Sequence, residues 1–461
     1  MFSTLAYRKC PIWLQERLLS ARGALRSFIR EGADFRKVSE EIRATQWYNT
    51  SQLQALQLER IKMALTHAAR HVPYYVKLFK EQRINVDDLR DVKDITRISY
   101  LTKATVLSNW QDLIATNLKG ARASIHTSGS TGSPLRLLQT REAVVRQNAF
   151  IHRQLEWAGY RQDDRRAWIR GDMIVPIEQR MPPYWRYNRS QRMLMMSSYH
   201  LGSHTADDYV KVLERFDPML IQAYPSSVVF LARFLKATSR QYRGRSLRAI
   251  VTGSETLSEV DRQMLVEQMG CQVFDQYNSA ERVSLIQTCE HGQYHIASDY
   301  AFTELVPLDG GRYEVVGTGF NNLLMPLIRY RLGDVVELAS EVDGCRCGRQ
   351  LPMVKKVIGR MDDYVRTPDG RYVGRLSNIF KGIKNLAMGQ IVQESLEGVT
   401  IRIVPFAGFD RDSEQKLLKL ARERLGADMV INIQLVSDIP RSASGKFKLV
   451  ISKLNTATDD D

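Results

Sequence analysis

The chain has 461 residues, of which 44% are hydrophobic and 25% charged, and it carries a formal net charge of +15. This length predicts two or more domains, and the composition excludes a disordered or fibrous chain. The charge is compatible with an anionic partner such as nucleic acid, a lipid headgroup or a phosphorylated substrate, without choosing among them.

Neither a membrane-spanning helix nor a secretory signal is predicted. The apolar runs are shorter than the roughly 20 residues that cross a bilayer. Charged residues such as Arg8, Lys9 and Glu16 interrupt the N-terminus, which therefore lacks the apolar core of a signal peptide. The five cysteines are too unevenly spaced for a disulfide framework. We expect a cytoplasmic protein, with the inner face of the membrane as the alternative location.

Residues 1–115 are predicted to form a helical region that belongs to a large domain. The segment 51–71, SQLQALQLERIKMALTHAARH, repeats apolar residues at helical spacing. Before it, basic residues outnumber acidic ones, and an apolar stripe would run from Trp13 to Leu19. Such a helix either docks peripherally on an anionic membrane or is a solvated surface helix, and the residues leave both interpretations open.

Residues 116–359 alternate short apolar runs with amphipathic segments. Between Leu247 and Phe274, LRAIV predicts a strand, TGSETL a turn, SEVDRQMLVEQM a helix capped by Ser258 and closed by Gly270, and CQVF the next strand. PMLIQAYPSSVVFLARFL makes a similar step from strand to helix. This alternation predicts an α/β fold with a largely parallel, helix-covered sheet, in which residues 116–359 form the core of the large domain.

The pattern changes after Gly359. TIRIVP, DSEQKLLKLARERLG and MVINIQLV predict a strand, a helix and a strand. A boundary near Arg360 makes residues 360–461 a small C-terminal α/β domain of about 100 residues, which is an ordinary domain size.

The segment HTSGSTGSP, from His126 to Pro134, combines two glycines with hydroxyl side chains, among them those of Thr127, Ser128, Ser130 and Thr131. Backbone N–H groups and hydroxyls that converge on one turn suit a phosphate, although such a loop is also typical of a plain turn. It is not the common nucleotide P-loop, because no Gly-Lys-Ser/Thr follows at the required spacing.

Five further motifs follow in order along the chain: VTGSE (251–255), QYNSAE (276–281), RYRLGD (329–334), IGRMDD (358–363) and PRSASGK (440–446). Together with the Ser/Thr/Gly loop they resemble the adenylate-forming superfamily, which includes acyl-CoA synthetases, nonribosomal adenylation domains and luciferases. The run MPLIRYRLGD and the segment CRCGR resemble the phenylacetate-CoA ligase-like branch, with its CapK-like proteins of polysaccharide biosynthesis. The resemblance extends from about residue 50 onward.

The resemblance implies an ATP- and acid-binding core within residues 116–359 and a mobile C-terminal lid, residues 360–461, that carries a catalytic lysine. The phosphates of ATP would bind a loop of Thr127, Ser128, Gly129, Ser130, Thr131 and Gly132. The adenosine site would consist of Gly253, Ser254, Glu255, Tyr277, Asn278, Asp334 and Arg360. In this site Tyr277 would stack on the purine and Asp334 would accept hydrogen bonds from the ribose.

The catalytic residues implied by the resemblance are Glu281 and Lys446. Glu281 would bind Mg²⁺, a hard cation that prefers carboxylate and phosphate oxygens. Lys446 would reach the acid carboxylate and the α-phosphate, where two anions are brought together and a cation is needed. Asp362 is the implied hinge of the lid.

Two positions depart from the family pattern. Asn278 stands where relatives have glycine, and asparagine tolerates a left-handed backbone better than other non-glycine residues. Leu332 stands where many relatives have threonine, which removes a hydroxyl but leaves Asp334 in place. Neither departure predicts an inactive enzyme.

Cysteine and histidine residues in CEHGQYH and CRC predict a second site. Three cysteines and one histidine suffice for a structural zinc ion, while the alternative is ordinary reduced thiols on neighbouring loops. His291 competes with His295 as the nitrogen ligand, and the resemblance favours His295. The ligand set predicted for zinc is Cys289, His295, Cys345 and Cys347.

The sequence gives fewer signals for the acid-binding pocket than for the nucleotide and metal sites. MMSSYHL falls where relatives place an aromatic residue or histidine beside the carboxylate, so Tyr199 and His200 are candidates. The alternative is that MLMMSSY is a buried strand end. Ala223 and Tyr224 are candidates for another wall of the pocket.

The resemblance implies an ATP-dependent ligase that converts a small carboxylic acid to an acyl-AMP and then passes the acyl group to coenzyme A. The alternative acceptor is an amine, such as an amino acid or an amino sugar of a surface or capsular polysaccharide. A non-enzymatic nucleic-acid binder is a third hypothesis, but no nucleic-acid-binding motif accompanies the basic charge, and we expect no nucleic-acid partner.

Overall fold

The structure is a computed structural model that describes residues 5–120, 122–126, 135–339, 344–360, 365–368, 372–373, 376–442 and 445–454. The α-helices are α1 Leu5–Lys9, α2 Ile12–Arg30, α3 Ala33–Thr45, α4 Thr50–His71, α5 Pro73–Glu81, α6 Lys103–Ser108, α7 Arg141–Trp157, α8 Ala206–Phe216, α9 Pro225–Ala237, α10 Glu259–Met269 and α11 Arg411–Leu425. Short 3-10 helices cover Val86–Asp88, Val92–Arg97, Arg189–Gln191, Ser198–His200 and Leu376–Phe380.

The strands follow the same order along the chain. They are β1 Ala123–His126, β2 Arg136–Gln139, β3 Arg166–Arg170, β4 Trp185–Asn188, β5 Met193–Ser197, β6 Leu220–Ala223, β7 Ala249–Gly253, β8 Gln272–Asn278, β9 Leu285–Thr288, β10 Tyr294–Ile296, β11 Ala301–Leu308, β12 Arg312–Gly319, β13 Tyr330–Leu338, β14 Met353–Arg360, β15 Val365–Arg366, β16 Tyr372–Val373, β17 Leu386–Gln393, β18 Gly398–Pro405, β19 Val430–Leu435 and β20 Val450–Ser452.

The chain divides into two compact units, each built from separated segments. The first unit comprises Met1–Ser20, Gln162–Val273 and Gly359–Asp461, and the second comprises Ala21–Arg161 and Phe274–Ile358. The domain boundaries near residues 115 and 360 stay predictions.

The first unit contains a sheet with the strand order β4-β5-β3-β6-β7. Strands β3, β5, β6 and β7 run parallel, and β4 pairs antiparallel with β5 at the edge. Helices α8, α9 and α10 follow the strands and bury residues such as Phe230 and Leu265 against Ile221 and Ile250. The predicted α/β fold is confirmed. The strands β3, β5, β6 and β7 are parallel as expected, whereas the pairings among β8, β9, β10 and β14 and among β11, β12 and β13 are antiparallel.

The last segment of the first unit has a four-stranded sheet, ordered β19-β18-β17-β20, with α11 packed on it. Phe406, which follows β18, packs on the ring of Phe230 in α9, with ring centroids 5.5 Å apart. The strand, helix and strand predicted after residue 398 are confirmed as β18, α11 and β19.

The second unit contains strands in the order β8-β9-β10-β14-β13-β12-β11 and the helices α3 to α7. Its helical core packs Ile61, Leu65 and Tyr75 against Ile328 and Tyr330. The predicted helix at 51–71 is confirmed as α4. It starts with a capping box in which the Asn49 side chain and the Gln52 backbone N–H are 2.9 Å apart.

Local signals in the sequence predict one strand–helix–strand step almost residue by residue. The Ser258 hydroxyl caps α10 by accepting a hydrogen bond from the Asp261 backbone N–H at 3.1 Å. Gly270 ends this helix with a φ of 65°, a left-handed conformation that glycine adopts without strain. Strands β7 and β8 flank the helix as predicted.

The apolar stripe predicted from Trp13 to Leu19 does not form one solvent-facing surface. Leu19 is buried against Ile174 and Met193, whereas Trp13 is exposed. Further along α2, Phe28 is 78% exposed. Among the described helices, none is long and apolar enough to cross a bilayer. Peripheral membrane contact through this region stays a prediction.

The packing of β12 against the chain before β9 leaves no room for a side chain at Gly317. A Cβ atom at this position would overlap the carbonyl group of Val283, which is backbone and cannot rotate away. We expect Gly317→Ala to destabilise the protein by about 1–3 kcal/mol, measured by chemical denaturation. Gly398→Ala in β18, where a Cβ would make only ordinary contacts, is the matched control. Equal stability of the two variants would contradict this description of the packing.

Candidate functional site

The parallel strands of the first unit end together at one edge of their sheet. Arg170 at the end of β3 is in register with Ser197 of β5, and Ile169 with Ala223 of β6. The next strand, β7, ends at Gly253. In open α/β sheets, ligands bind at the carboxyl ends of the strands. We call this the carboxyl edge.

All four candidate residues for the acid pocket lie at the carboxyl edge. The Tyr199 hydroxyl donates to the Gly171 carbonyl at 3.2 Å, and burial raises the pKa of this phenol. Ala223 is fully buried at the end of β6, and Tyr224 follows it as the N-cap of α9. The strand β5 is buried throughout, so the strand-end interpretation of MLMMSSY also holds for residues 193–197.

His200 is held as a neutral, oriented ring. Its Nδ1 atom is 2.8 Å from the Ser197 hydroxyl, and its ring stacks on Tyr184 with centroids 5.0 Å apart. Burial lowers the pKa of His200. A neutral imidazole at this place can exchange hydrogen bonds but does not supply a positive charge near pH 7.

Glu255, expected in the adenosine site, makes two backbone contacts within the first unit. Its Oε2 atom accepts a hydrogen bond from the Ser226 N–H at 2.9 Å, and Oε1 accepts one from the Phe447 N–H at 2.6 Å. The preceding residue, Ser254, has a φ of 72°, an uncommon conformation for a residue other than glycine. The turn after β7 is therefore held in a specific, strained form.

Lys446 lies in a loop that is seated on the carboxyl edge. The loop comprises the described residues 441–442 and 445–447, which we call the lysine loop. A Cβ atom at Gly445 would overlap the Gly171 backbone and lie 3.1 Å from the Tyr199 hydroxyl. Gly445 also has a φ of 72°, so glycine is required there for both space and conformation. Gly445, the residue before Lys446, therefore lies in space beside the candidate pocket residue Tyr199.

In the second unit, two residues predicted for the adenosine site are in direct contact. The Tyr277 hydroxyl donates to Asp334 Oδ2 at 2.6 Å. Tyr277 lies in β8, which ends at Asn278, and Asp334 lies in β13. Glu281 follows in the turn after β8 and is half-buried.

Polar atoms beside Tyr277 are buried without a hydrogen-bond partner. They are Gln276 Nε2, Asn278 Oδ1 and Ser279 Oγ. Burying such atoms without a partner costs about 1–3 kcal/mol each, so native proteins rarely leave several together. A polar ligand or ordered water bound beside them would satisfy these atoms, and a nucleotide base offers the donor and acceptor groups that they require.

Other predicted residues cannot be placed in the same detail. The loop Thr127, Ser128, Gly129, Ser130, Thr131 and Gly132 lies outside the described residues, as does the hinge candidate Asp362. Arg360 is the last residue of β14, and only its backbone is described.

Two residues of the first-unit site escaped the sequence analysis. Arg441 donates from Nη1 to the Ser226 hydroxyl at 2.9 Å, while its Nη2 atom is buried without a partner. Arg441 lies inside the PRSASGK motif, and membership of that motif is the only feature of the sequence that could have indicated a role for it. Ser226 lies in the first turn of α9, and nothing in its sequence context indicates a role.

The four predicted metal ligands converge in the second unit. The sulfur atoms of Cys289, Cys345 and Cys347 and a ring nitrogen of His295 all lie within 4.8 Å of one another. The Cys289 and Cys345 Sγ atoms are 3.6 Å apart, and Cys347 Sγ is 3.5 Å from His295 Nε2. Tetrahedral zinc with Zn–S bonds of about 2.3 Å separates sulfur ligands by about 3.8 Å. The cluster therefore fits the predicted zinc ion.

The surroundings of the cluster also suit a metal. His295 Nδ1 is 3.2 Å from the Leu351 carbonyl, which orients Nε2 towards the sulfurs. Burial lowers the pKa of His295 and thus keeps its imidazole neutral, as a ligand must be. Zinc with three thiolates would carry one net negative charge, and the Arg349 guanidinium lies close enough to influence the pKa of His295.

Arg349 connects the cluster region to the helical part of the second unit. Its guanidinium lies over the rings of Trp47 and Trp157, at 4.9 and 4.1 Å from their centroids, and pairs with Glu290 at 2.8 Å. A metal that orders the Cys345–Cys347 segment would therefore also order Arg349 and its aromatic contacts.

Comparison with known proteins gives relatives along nearly the whole chain. The CapK C-terminal domain family matches residues 365–453. Protein CapK of Staphylococcus aureus is 26% identical over 452 residues, which cover 97% of this chain and 99% of that protein. A phenylacetate-coenzyme A ligase of Aromatoleum evansii is 23% identical over 430 residues, which cover 87% and 94% respectively.

The fold matches solved structures of 2-hydroxyisobutyryl-CoA ligase. The postadenylation state of that ligase, in complex with R3-HIB-AMP, has a TM-score of 0.68 at 17% identity and covers 88% of this chain and 91% of that chain. The same ligase in its thioesterification state has a TM-score of 0.56 at 18% identity.

The fold and these relatives indicate a ligase enzyme with the adenylate-forming fold. The C-terminal region matches the CapK C-terminal domain family, and the chain is similar to Protein CapK from end to end.

Removing one ligand tests the zinc site. We expect the purified protein to contain about one zinc ion per chain and Cys347→Ser to lose it, because three ligands hold a structural zinc poorly. Metal analysis by mass spectrometry measures the content, and thermal unfolding should show a lower Tm for the variant. Cys10→Ser, which changes a cysteine outside the cluster, should keep the metal. The zinc site would be contradicted if the wild-type protein, purified from cells grown with zinc, contained no metal and kept its Tm when a chelator was added.

Neutralising Asp334 tests the adenosine site. If its carboxylate accepts hydrogen bonds from the ribose, Asp334→Asn should weaken ATP binding about 10–100-fold, since hydrogen bonds to charged groups contribute about 1.5–3 kcal/mol. Isothermal titration with ATP measures this change. Asp309→Asn, at an exposed turn, is the matched control. Unchanged affinity in Asp334→Asn would remove this residue from the site.

Proposed function

We propose that this protein activates a small carboxylic acid with ATP as an acyl-AMP and then transfers the acyl group to coenzyme A. The observation that carries the proposal is the seating of the lysine loop at the carboxyl edge, beside Tyr199 and Glu255. Because Lys446 directly follows Gly445, which packs against Gly171 and Tyr199, this seating supports a role for the lysine at the acid carboxylate.

The chemistry asks for positive charge at this point. A carboxylate oxygen attacks the α-phosphorus of ATP, the bond to the β-phosphate oxygen breaks, and pyrophosphate leaves. Because both reactants are anions, the Lys446 ammonium would lower the barrier by stabilising the negative charge that develops between them. Mg²⁺, for which Glu281 is the proposed ligand, would neutralise phosphate charge.

The second step uses a nucleophile to displace AMP. With coenzyme A, the thiol sulfur attacks the acyl carbon, the bond to the phosphate oxygen breaks, and a thioester, AMP and a proton result. The phenylacetate-coenzyme A ligases among the relatives support this acceptor.

An amine acceptor is the second candidate. Amide formation would follow the same first step, with the nitrogen of an amino acid or amino sugar attacking the acyl carbon. The similarity to Protein CapK, which extends over nearly the whole of both chains, supports this alternative only weakly, since its name states no reaction. A nucleic-acid-binding role has no such support, because the relatives are ligases and CapK.

Pyrophosphate release measures the first step directly. We expect release with at least one acid from a panel of aryl, hydroxy and dicarboxylic acids. Lys446→Ala should slow it about 10²–10³-fold, the usual effect of removing a group that stabilises charge in the transition state. Lys453→Ala, which removes an exposed lysine of the same segment, should have no effect.

Three reaction conditions separate the acceptors: an acid and ATP with coenzyme A, with an amine, and with neither. Turnover with coenzyme A but not with amines supports thioester formation, and the reverse supports amide formation. If no acid gave release and Lys446→Ala bound ATP as the wild type does, acyl-adenylate formation would be rejected.

A further inference from the structure

The Glu255 carboxylate bridges two segments that are far apart in the chain. One oxygen accepts from the Ser226 N–H at the start of α9, and the other accepts from the Phe447 N–H in the lysine loop. The distances of 2.9 and 2.6 Å are those of good charge-assisted hydrogen bonds. Phe447 directly follows Lys446, so this contact sets the position of the lysine backbone.

The described part of the lysine loop is tied together internally. The Lys446 N–H donates to the Ser442 hydroxyl at 3.1 Å, and the Gly445 N–H donates to the Ser442 carbonyl at 2.8 Å. The Ser442 N–H in turn donates to the Lys446 carbonyl at 2.9 Å. Because these bonds close a turn, fixing one end of the loop fixes Lys446 as well.

The other end of the loop is attached to the same helix start. Arg441 donates to the Ser226 hydroxyl at 2.9 Å, and the charge of Glu255 opposes the lowering of the Arg441 pKa by burial. Ser226 therefore receives both contacts: its backbone binds Glu255 and its side chain binds Arg441. Glu255 is a charged acceptor that contacts both α9 and the lysine loop.

We propose that Glu255 is a positioning residue that latches the lysine loop onto the carboxyl edge for acyl-AMP formation. This inference depends on the proposed function and changes the role that the family resemblance implied, since an adenosine-lining residue would contact the nucleotide. The latch acts through Lys446 and touches neither the acid nor ATP.

Glu255→Gln tests the latch with a side chain of the same shape. The amide keeps one oxygen acceptor, but its NH₂ group faces a backbone N–H that also donates, so one of the two bonds is lost. We expect the kcat of pyrophosphate release to fall about 10–100-fold, with the Kd for ATP unchanged. Glu255→Asp keeps the charge but has a shorter side chain, and its kcat should lie between those of the wild type and Glu255→Gln. Glu259→Gln, on an exposed residue of α10, is the matched control.

A double variant shows whether the effect passes through the lysine. If Glu255 only positions Lys446, then Glu255→Gln in a Lys446→Ala background should cause no further loss of kcat. If instead the two substitutions lowered kcat independently, so that the double variant showed the product of the two single losses, Glu255 would act on the reaction in another way and the latch would be overturned.

Hydrogen exchange separates the latch from the proposed function. The Phe447 amide should be protected in the wild type and exchange at least ten-fold faster in Glu255→Gln, with other amides of the small sheet unchanged. If no acid supports pyrophosphate release, the proposed function fails while this result still supports the latch. Unchanged exchange in Glu255→Gln, or a raised Kd for ATP with normal kcat, would refute the latch.

Discussion

The carboxyl edge of the first unit imposes the constraint on which the candidate chemistry depends. Four parallel strands end there in register, and their following turns supply Gly171, Tyr199, Tyr224 and Glu255. The lysine loop fits this edge only because residue 445 is a glycine with a left-handed backbone, packed against Gly171. The proposed reaction joins two anions and needs a cation at the point of attack, for which this fit makes Lys446 the candidate.

Electrostatics explains why backbone groups carry much of this contact. Glu255 accepts hydrogen bonds from two backbone N–H groups, and its charge also acts on the buried Arg441 guanidinium, where it opposes the lowering of the pKa by burial. Arg441 adds a second attachment through a neutral hydroxyl.

In the second unit, Tyr277 in β8 and Asp334 in β13 are in contact, although three strands lie between β8 and β13 in the order of the sheet. The hydrogen bond between them orients the phenol ring and the carboxylate together. The cysteine and histidine cluster lies on the same unit, where β10 pairs with β14 and the Cys345–Cys347 segment precedes β14. A metal there would anchor this segment, together with Arg349 and the tryptophans under it.

By itself, the sequence determined the elements whose signals are local. The strand–turn–helix–strand step around Ser258 and Gly270, the helix at 51–71 and the α/β pattern of the last segment follow from capping and periodicity, which involve neighbours in the chain. The sequence also predicted the four side chains that meet in the candidate metal cluster, among which the family resemblance selected His295 over His291. The order of the six motifs along the chain was enough to predict the resemblance to the adenylate-forming superfamily.

Only the tertiary structure decided which distant groups meet. Glu255 and Phe447 are separated by 192 positions, and no periodicity or composition indicates that a carboxylate will meet a backbone amide so far along the chain. The same holds for Ser226, whose role comes from its place at the start of a helix beside the carboxyl edge. It also holds for Leu19. The amphipathic pattern predicted that this residue lies on a surface stripe, but in the structure it is buried against Ile174 and Met193. Local rules act over a few residues, whereas side-chain partners across a fold are chosen by shape and hydrogen-bond geometry after the chain has packed.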